Sequence, residues 1–352
     1  MIGPVTAIIA DDLTGALDSA VPFAQFGWKT VAVTSLGAIP QALDAGAEVV
    51  SVSLGSREIP QAEAVARVTA ATQALAGFPV LLKKVDSRLK GNVSAELAAL
   101  LNIRRPRSVM VCPAIPELGR YVRNGCVLGM GIAEPISIAP HLPRFAQAAM
   151  VVADAETDQD LTAIVEDAAP GTVFVGARGL ACALARHLAS GRRAPVSEFG
   201  WSGPVAVVVG SRDPITLEQV ACVRASGLAT WIGAPDGFVP DQPAEGSVVV
   251  QATAGTGAVA DGQAVAGRLA EGFARVHAST TRTLVLTGGE TAAAVFEALD
   301  VTALDVLGEA QPGLPVCRRL DQRSGPVFVT KSGGFGEVDC LLRLMRHGEG
   351  RR

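Results

Sequence analysis

Short apolar runs rich in β-branched residues recur along the chain: Thr6–Ala10, Thr30–Thr34, Glu48–Ser53, Val80–Val85, Ser108–Cys112, Thr172–Val175, Val205–Val209, Ser247–Gln251, Thr283–Thr287 and Val327–Thr330. Between them lie Ala-, Leu- and Glu-rich stretches that read as helices, among them Gln61–Leu75, Ser94–Leu101, Leu161–Ala168, Ile215–Ala225, Val265–Val276 and Ala292–Leu299. The runs are apolar throughout rather than at alternate positions, which suits strands of a parallel sheet covered by helices on both faces. The pattern predicts an α/β protein. Ligands of such sheets sit beyond the carboxyl ends of the strands, so chemistry is to be sought in the strand-to-helix loops.

A Gly-, Pro- and Arg-rich stretch, Ser190–Pro204, separates two balanced sets of strand–helix units. A cut near residue 202 predicts two domains, 1–202 and 203–352, each a mostly parallel sheet flanked by helices, with the active site expected in the interdomain cleft. The length of 352 residues suits two domains. With 30 Lys and Arg against 34 Asp and Glu, the net charge of −4 leaves no basic excess for nucleic acid or an anionic membrane. Mean hydropathy is +0.35, but the excess is largely Ala spread between charges, and no apolar run approaches the ~18 residues of a membrane span. The expected partner is a small molecule, and a homo-oligomer stays open. Met1–Ala10 lacks the basic stretch of a signal peptide, which points to the cytoplasm. The six cysteines and four histidines follow no metal or disulfide pattern, so the cysteines are expected to be small buried side chains. The tail from Arg346 to Arg352 reads as a frayed end.

Several loops carry candidate chemistry. Ala10-Asp11-Asp12-Leu13-Thr14-Gly15 puts two acids at a strand end, with Thr14 the expected N-cap of the next helix. Lys84-Val85-Asp86-Ser87-Arg88-Leu89-Lys90-Gly91-Asn92 gathers cations around one acid, an arrangement for an anionic ligand with Asp86 available as a base or metal contact. Two prolines brace the loop from Pro113 to Arg120, whose guanidinium can grip a carboxylate. In the second half, Gly210-Ser211-Arg212-Asp213-Pro214, Thr287-Gly288-Gly289-Glu290-Thr291 and Lys331-Ser332-Gly333-Gly334-Phe335-Gly336 all follow strands. Glycines let backbone N–H groups close on phosphate oxygens, and three such loops point to a nucleotide site. Two other matches fail. Gly255–Ala260 has the letters of a dinucleotide fingerprint but lacks a following strand that ends in an acid, and Thr330 stands where a P-loop needs Gly before Lys331.

Taken in order, ADDLTGALD (10–18), Ser56-Arg57, KKVDSRLKGN (83–92), PAIPELGRYVRNG (113–125), VGSRDPIT (209–216), GGET (288–291), PGLP (312–315) and TKSGGFGEVD (330–339) resemble the four-carbon acid sugar kinases, the family of 3-oxo-tetronate and threonate kinases. The resemblance covers nearly the whole chain. It implies an N-terminal sugar-acid-binding domain, a C-terminal nucleotide-binding domain, and ATP-dependent phosphorylation of the terminal hydroxyl of a four-carbon sugar acid. It further implies that Asp11, Asp12, Arg57, Lys84, Asp86 and Arg120 line the sugar-acid pocket, and that Ser211, Gly288, Gly289, Glu290, Thr291, Gly333 and Gly334 hold ATP.

Phosphoryl transfer needs positioning and charge neutralisation more than covalent chemistry, so an acid beside the hydroxyl, Mg²⁺ and cationic donors suffice. Asp12 or Asp86 is the expected catalytic acid, and Arg57 and Arg120 are the expected carboxylate grips. The chain departs from the family's usual K-x-D-S-T-L-R-G-N at Arg88 and Lys90, and from its G-G-D-T at Glu290. Members are typically longer than 352 residues, which reads as trimmed loops because both ends of the motif series are present. Two rivals remain: a non-catalytic sensor that keeps both pockets without turnover, and a sugar-acid isomerase or aldolase using Lys84, which leaves the anion loops unexplained.

Overall fold

The computed structural model describes residues 3, 5–144, 148–192, 199, 201–256, 261–322, 324–348 and 350. It divides into two compact units, Met1–Val196 and Ser197–Arg352. Within the Ser190–Pro204 stretch, residues 193–198 and 200 lie outside the described residues, as do 257–260 of the Gly255–Ala260 segment.

The first unit runs β1 (Thr6–Ala10), α1 (Leu13–Gln25), β2 (Thr30–Val33), α2 (Ile39–Asp44), β3 (Val49–Ser53), α3 (Gln61–Ala74), β4 (Val80–Lys84), α4 (Val93–Arg104), β5 (Ser108–Cys112), β6 (Arg120–Arg123), β7 (Cys126–Gly129), β8 (Ile136–Ser137), β9 (Ala149–Val152), α5 (Asp158–Glu166), β10 (Val173–Gly176) and α6 (Arg178–Ala189). Its main sheet has the order β2-β3-β1-β4-β10-β5-β9, parallel throughout. All five residues of the central strand β1 are buried, as a strand with helices on both faces requires. Ala10 pairs with Ser53 on β3 and with Lys84 on β4, and this register ends three strands level, so their loops leave from one edge.

Between β5 and β9 the chain makes a small antiparallel sheet, β6-β7-β8. Its first hairpin turns at Asn124-Gly125, both with positive φ (51° and 68°), the signature of a two-residue turn that matches strand twist. Arg120 is therefore the first residue of a strand, where the sequence suggested only a braced loop. Strands of two to four residues are too short to announce themselves by periodicity.

The second unit runs β11 (Val205–Val209), α7 (Pro214–Ser226), β12 (Thr230–Pro235), β13 (Val248–Thr253), α8 (Gly262–Val276), β14 (Thr283–Thr287), α9 (Gly289–Ala298), β15 (Ala303–Glu309), β16 (Pro315–Arg319), β17 (Val327–Lys331) and α10 (Cys340–Gly348). Its order is β12-β13-β11-β14-β17-β16-β15, parallel except that β16 runs antiparallel to both neighbours. Helix α10 corrects the expectation of a frayed tail for Arg346 to Gly348, while residues 349, 351 and 352 of that tail lie outside the described residues. The helix continues through Gly348 because Leu341, Leu342, Leu344 and Met345 are buried against Val205, Val207 and Val209. Among the described residues no helix is long and apolar enough to cross a membrane.

Candidate active site

The level ends of β1, β3 and β4 bring three loops around one side chain, Arg57. Its Nε and Nη2 donate to Asp11 Oδ2 at 2.7 Å and Oδ1 at 3.0 Å. Nη1 lies 2.9 Å from Asp12 Oδ2 and 3.8 Å from Asp86 Oδ2. One guanidinium thus holds three carboxylates together that would otherwise repel. The Arg57 loop is itself fixed: Ser56 N donates to Asp11 O at 2.8 Å, and Asn92 Nδ2 donates to Ser56 O and Ile59 O at 2.9 and 3.0 Å. Gly91, at φ +87°, permits this closure, since a Cβ there would stand 3.1–3.2 Å from Arg57. Burial pushes the Asp11 carboxyl up, but the Arg57 hydrogen bonds and charge, with Lys83 and Lys84, bring it below its ordinary value. Burial also draws the Arg57 pKa down, and the three carboxylates more than reverse it.

The two expected catalytic acids are used differently. Asp12, not Thr14, is the N-cap of α1: its Oδ1 accepts from Gly15 N at 2.9 Å, while Thr14 Oγ1 donates to its Oδ2 at 2.8 Å. Asp12 has the better cap geometry because it precedes the first helical turn, and Thr14 already lies inside it. Asp86 Oδ1 accepts from Arg88 N at 2.9 Å and Lys90 N at 3.4 Å, which closes the loop. Among the described residues its Oδ2 meets only the long contact to Arg57, so that oxygen can accept a hydroxyl hydrogen.

Lys84 joins the group from β4. Its Nζ donates to Val85 O at 2.9 Å. A Cβ on Gly15 would stand 2.8 Å from that Nζ and 2.5 Å from Asp12 Oδ1, so the bare glycine is where ammonium and carboxylate approach. Arg120 reaches the same loop from β6. Nη1 donates to Ser87 Oγ, while Nε and Nη2 both donate to Met130 O at 3.2 and 2.8 Å. One residue earlier than Lys84, Lys83 points to the helix side and pairs with Glu96 of α4 at 2.8 Å, both side chains fully or almost fully buried. Ser56 Oγ donates to the same carboxylate. Sequence reasoning misses Glu96, whose only signal is one acid among Val93, Leu97, Leu100 and Leu101 on the buried side of the helix.

In the second unit Val209 pairs with Thr287, and Thr287 with Lys331, so the loops after β11, β14 and β17 also leave one edge. A Cβ on Gly333 would stand 2.8 Å from Ser211 Oγ and 3.1 Å from Asp213 Cβ, and one on Gly334 would lie 3.4 Å from Asp213 Oδ2. Gly288, at φ +92°, is the N-cap of α9 and faces Ser211 and Thr291, while Gly289 opens the helix. Ser211, Gly288, Thr291, Gly333 and Gly334 are therefore neighbours. Glu290 is not brought into this group: it is exposed, with Oε2 3.6 Å from where a Cβ would stand on Gly262 at the start of α8.

The Ser332–Glu337 loop is held by residues the sequence left without a role. Lys331 is fully buried, and its Nζ donates to Thr216 Oγ1 and to the carbonyls of Ser332, Gly333 and Phe335 at 2.9–3.1 Å. Thr216 Oγ1 donates to Gly333 O at 2.7 Å, and Gln219 Nε2 donates to Phe335 O, Gly336 O and Glu337 O at 2.9–3.0 Å. In a trans peptide the C=O and the next N–H point opposite ways. Carbonyls drawn inward at Ser332, Gly333 and Phe335 turn the N–H groups of Gly333, Gly334 and Gly336 outward, an arrangement that can receive an anion. Thr216 and Gln219 were findable as polar residues three apart on a helix face that is otherwise buried through Val220 and Val223.

A family model described as a sugar-binding N-terminal domain matches residues 6–138, and one described as a nucleotide-binding C-terminal domain matches residues 238–341. The chain is 34% identical to a D-threonate kinase of Bordetella bronchiseptica, with 97% of each chain covered. It is 29% identical to a 3-oxo-tetronate kinase of Methylobacterium radiotolerans, covering 96% of this chain and 97% of that one. Solved structures of proteins from Salmonella typhimurium and Haemophilus influenzae share the fold at TM-scores of 0.75 and 0.71, each 21% identical and covering 98% or more of both chains.

Proposed function

Because this chain belongs to the four-carbon acid sugar kinase family, we propose that it transfers the γ-phosphoryl group of ATP to the terminal hydroxyl of a four-carbon sugar acid of threonate, erythronate or 3-oxo-tetronate type. That it is a sugar acid kinase follows from the relatives; the acid, the nucleotide and the residue roles are our own assignments. The observation that carries the assignment is the charge pattern around Arg57, which gathers three carboxylates at the level strand ends with Lys84 beside them and Arg120 on the adjoining Ser87. Such a set suits a polyhydroxy carboxylate, whose hydroxyls need acceptors and whose acid group needs cations.

In this reading Asp86 Oδ2 accepts the hydrogen of the attacking hydroxyl and Asp12 keeps its cap. Asp11 holds Arg57, Lys84 offsets the negative charge, and Arg120 faces the carboxylate. On the nucleotide side, outward N–H groups of Gly333, Gly334 and Gly336 and the α9 N-terminus at Gly288-Gly289 receive phosphate oxygens, with Ser211 and Thr291 beside them. Magnesium held mainly by nucleotide phosphates needs only one or two protein carboxylates. Asp213 fits that need, because Oδ1 caps α7 while Oδ2 faces Gly334, and the ion would offset phosphate charge there.

The test is incubation of the purified protein with ATP·Mg²⁺ and a panel of threonates, erythronates and 3-oxo-tetronates, with ADP release and phosphorylated product followed together. Turnover of none of them removes the assignment and favours the sensor. A narrower expectation concerns the glycine loop: Gly333→Val should weaken ADP·Mg²⁺ binding by about tenfold or more, because a branched side chain collides with Ser211 and covers the amides. Calorimetric titration that gives an unchanged affinity would show the loop to be a plain turn.

A second expectation is pH-dependent. Burial lowers the Lys331 pKa from 10.5 to about 8, partly opposed by Cys340 and Asp213. As pH rises through about 8 the ammonium loses one of its three N–H donors, and nucleotide affinity should fall. The folding contribution has the opposite sign: the unfolded lysine holds its proton up to the ordinary value, so stability from this group rises between about 8 and 10.5. Lys331→Met should flatten both profiles, measured by calorimetry and by thermal unfolding across pH 7–10.

A further inference from the structure

Arg120 already spends three of its five N–H groups within the protein. Its Nε and Nη2 are both engaged by Met130 O, and its Nη1 by Ser87. A second guanidinium meets it at Gly131, a residue at φ +69°: a Cβ there would collide with Arg88 Nη2 and stand 3.5 Å from Arg120 Nη2. Among the described residues neither arginine makes an ion pair, and Arg88 donates no side-chain hydrogen bond. The carboxylate nearest in chain, Asp86, spends Oδ1 on the backbone N–H groups of Arg88 and Lys90 and has Oδ2 at Arg57. Among the described residues no anion lies between these two cations, so a negative group is favoured there.

We propose that Arg88 is a specificity-determining residue which, together with Arg120, receives the carboxylate of the sugar acid over Gly131, one oxygen to each guanidinium. This rests on the proposed kinase activity and goes further by naming the group that reads the acid end of the substrate. Burial and the charge of Arg88 lower the Arg120 pKa, with Asp86 opposing, as expected for a cation pair awaiting its counter-charge. Asp86 and Arg88 lie two residues apart on one loop, so a single segment can read both ends of a short acid. A neutral polyol gains nothing from the two guanidiniums, so the acid is favoured by the charge-assisted contacts that it alone can make.

The deciding measurement is steady-state kinetics, with ATP·Mg²⁺ saturating, on the best acid of the panel for the wild type, Arg88→Gln and Arg88→Lys. Arg88 is exposed and without a side-chain bond among the described residues, so both variants should keep the wild-type unfolding temperature. Arg88→Gln should raise the acid KM about tenfold or more, the size of one lost charge-assisted hydrogen bond, with kcat and the ATP KM within about twofold. Arg88→Lys should recover part of the loss, since an ammonium supplies charge without the planar fork. With erythritol, which lacks the carboxylate, as competitor, the inhibition constant should not respond to the substitution. An unchanged acid KM in Arg88→Gln overturns the inference while leaving the kinase assignment intact, and a raised ATP KM in its place overturns it in favour of a phosphate contact. A wild-type protein that turns over no four-carbon acid removes the kinase assignment, and the inference falls with it.

Discussion

Asp86→Asn is expected to lower kcat by roughly 10²–10⁴-fold while the KM for the sugar acid and the affinity for nucleotide stay close to wild type. The substitution is informative because it separates the two oxygens. The asparagine Oδ1 still accepts from the N–H groups of Arg88 and Lys90, so the loop closes as before. Only Oδ2 changes, from an acceptor near Arg57 to an NH₂ donor that cannot take a hydroxyl hydrogen. The loss is felt when the oxygen attacks phosphorus, hence in kcat. Steady-state kinetics with calorimetry for the nucleotide decides it: full kcat in Asp86→Asn makes Asp86 a turn-former and returns the role to Asp12.

The second large effect is on stability. Lys83 and Glu96 form an ion pair with 0% and 1% of the side chains exposed. Removing one partner leaves an uncompensated charge in the interior, so Lys83→Met should cost about 3–5 kcal/mol, read by urea unfolding. Replacing both partners, as in Lys83→Met with Glu96→Leu, should recover most of that, short of the contribution of the Ser56 hydroxyl, which loses its acceptor. A loss well below 1 kcal/mol in the single variant would mean that water reaches the pair.

The parallel strands were legible because burial on both faces writes itself as unbroken apolar runs. β1, β5, β11 and β14 coincide with theirs residue for residue. Less legible were elements whose hydrophobic signal is short or mixed. β15 alternates buried and half-buried positions, and its antiparallel pairing with β16 follows from a tight turn rather than a crossover. Helix α10 carried an amphipathic pattern, but closeness to the end of the chain made its arginines look like a solvated tail.

At the candidate site, residue types and loop positions pointed to Asp11, Asp12, Lys84, Asp86 and Arg120, while Arg57 was signalled by the family resemblance alone. Which oxygen caps a helix and which stays available is decided by side-chain torsions that no spacing records. The support from Glu96, Thr216 and Gln219 was illegible for another reason: each acts on partners in other elements that only packing brings near, Glu96 on Lys83 and on Ser56 40 residues away, Thr216 and Gln219 on loop carbonyls 117 and 116 residues away.

Arg57 joins carboxylates that come from two separate loops and stands on a third. Substitutions at Asp11, Asp12, Asp86 and Arg57 will therefore show strong epistasis, because the first loss already releases the partners whose attraction the second would remove. Changing the acid preference by grafting one loop from a relative would leave Arg57 serving carboxylates of mismatched position. The exchangeable unit is the whole set of loops around that guanidinium.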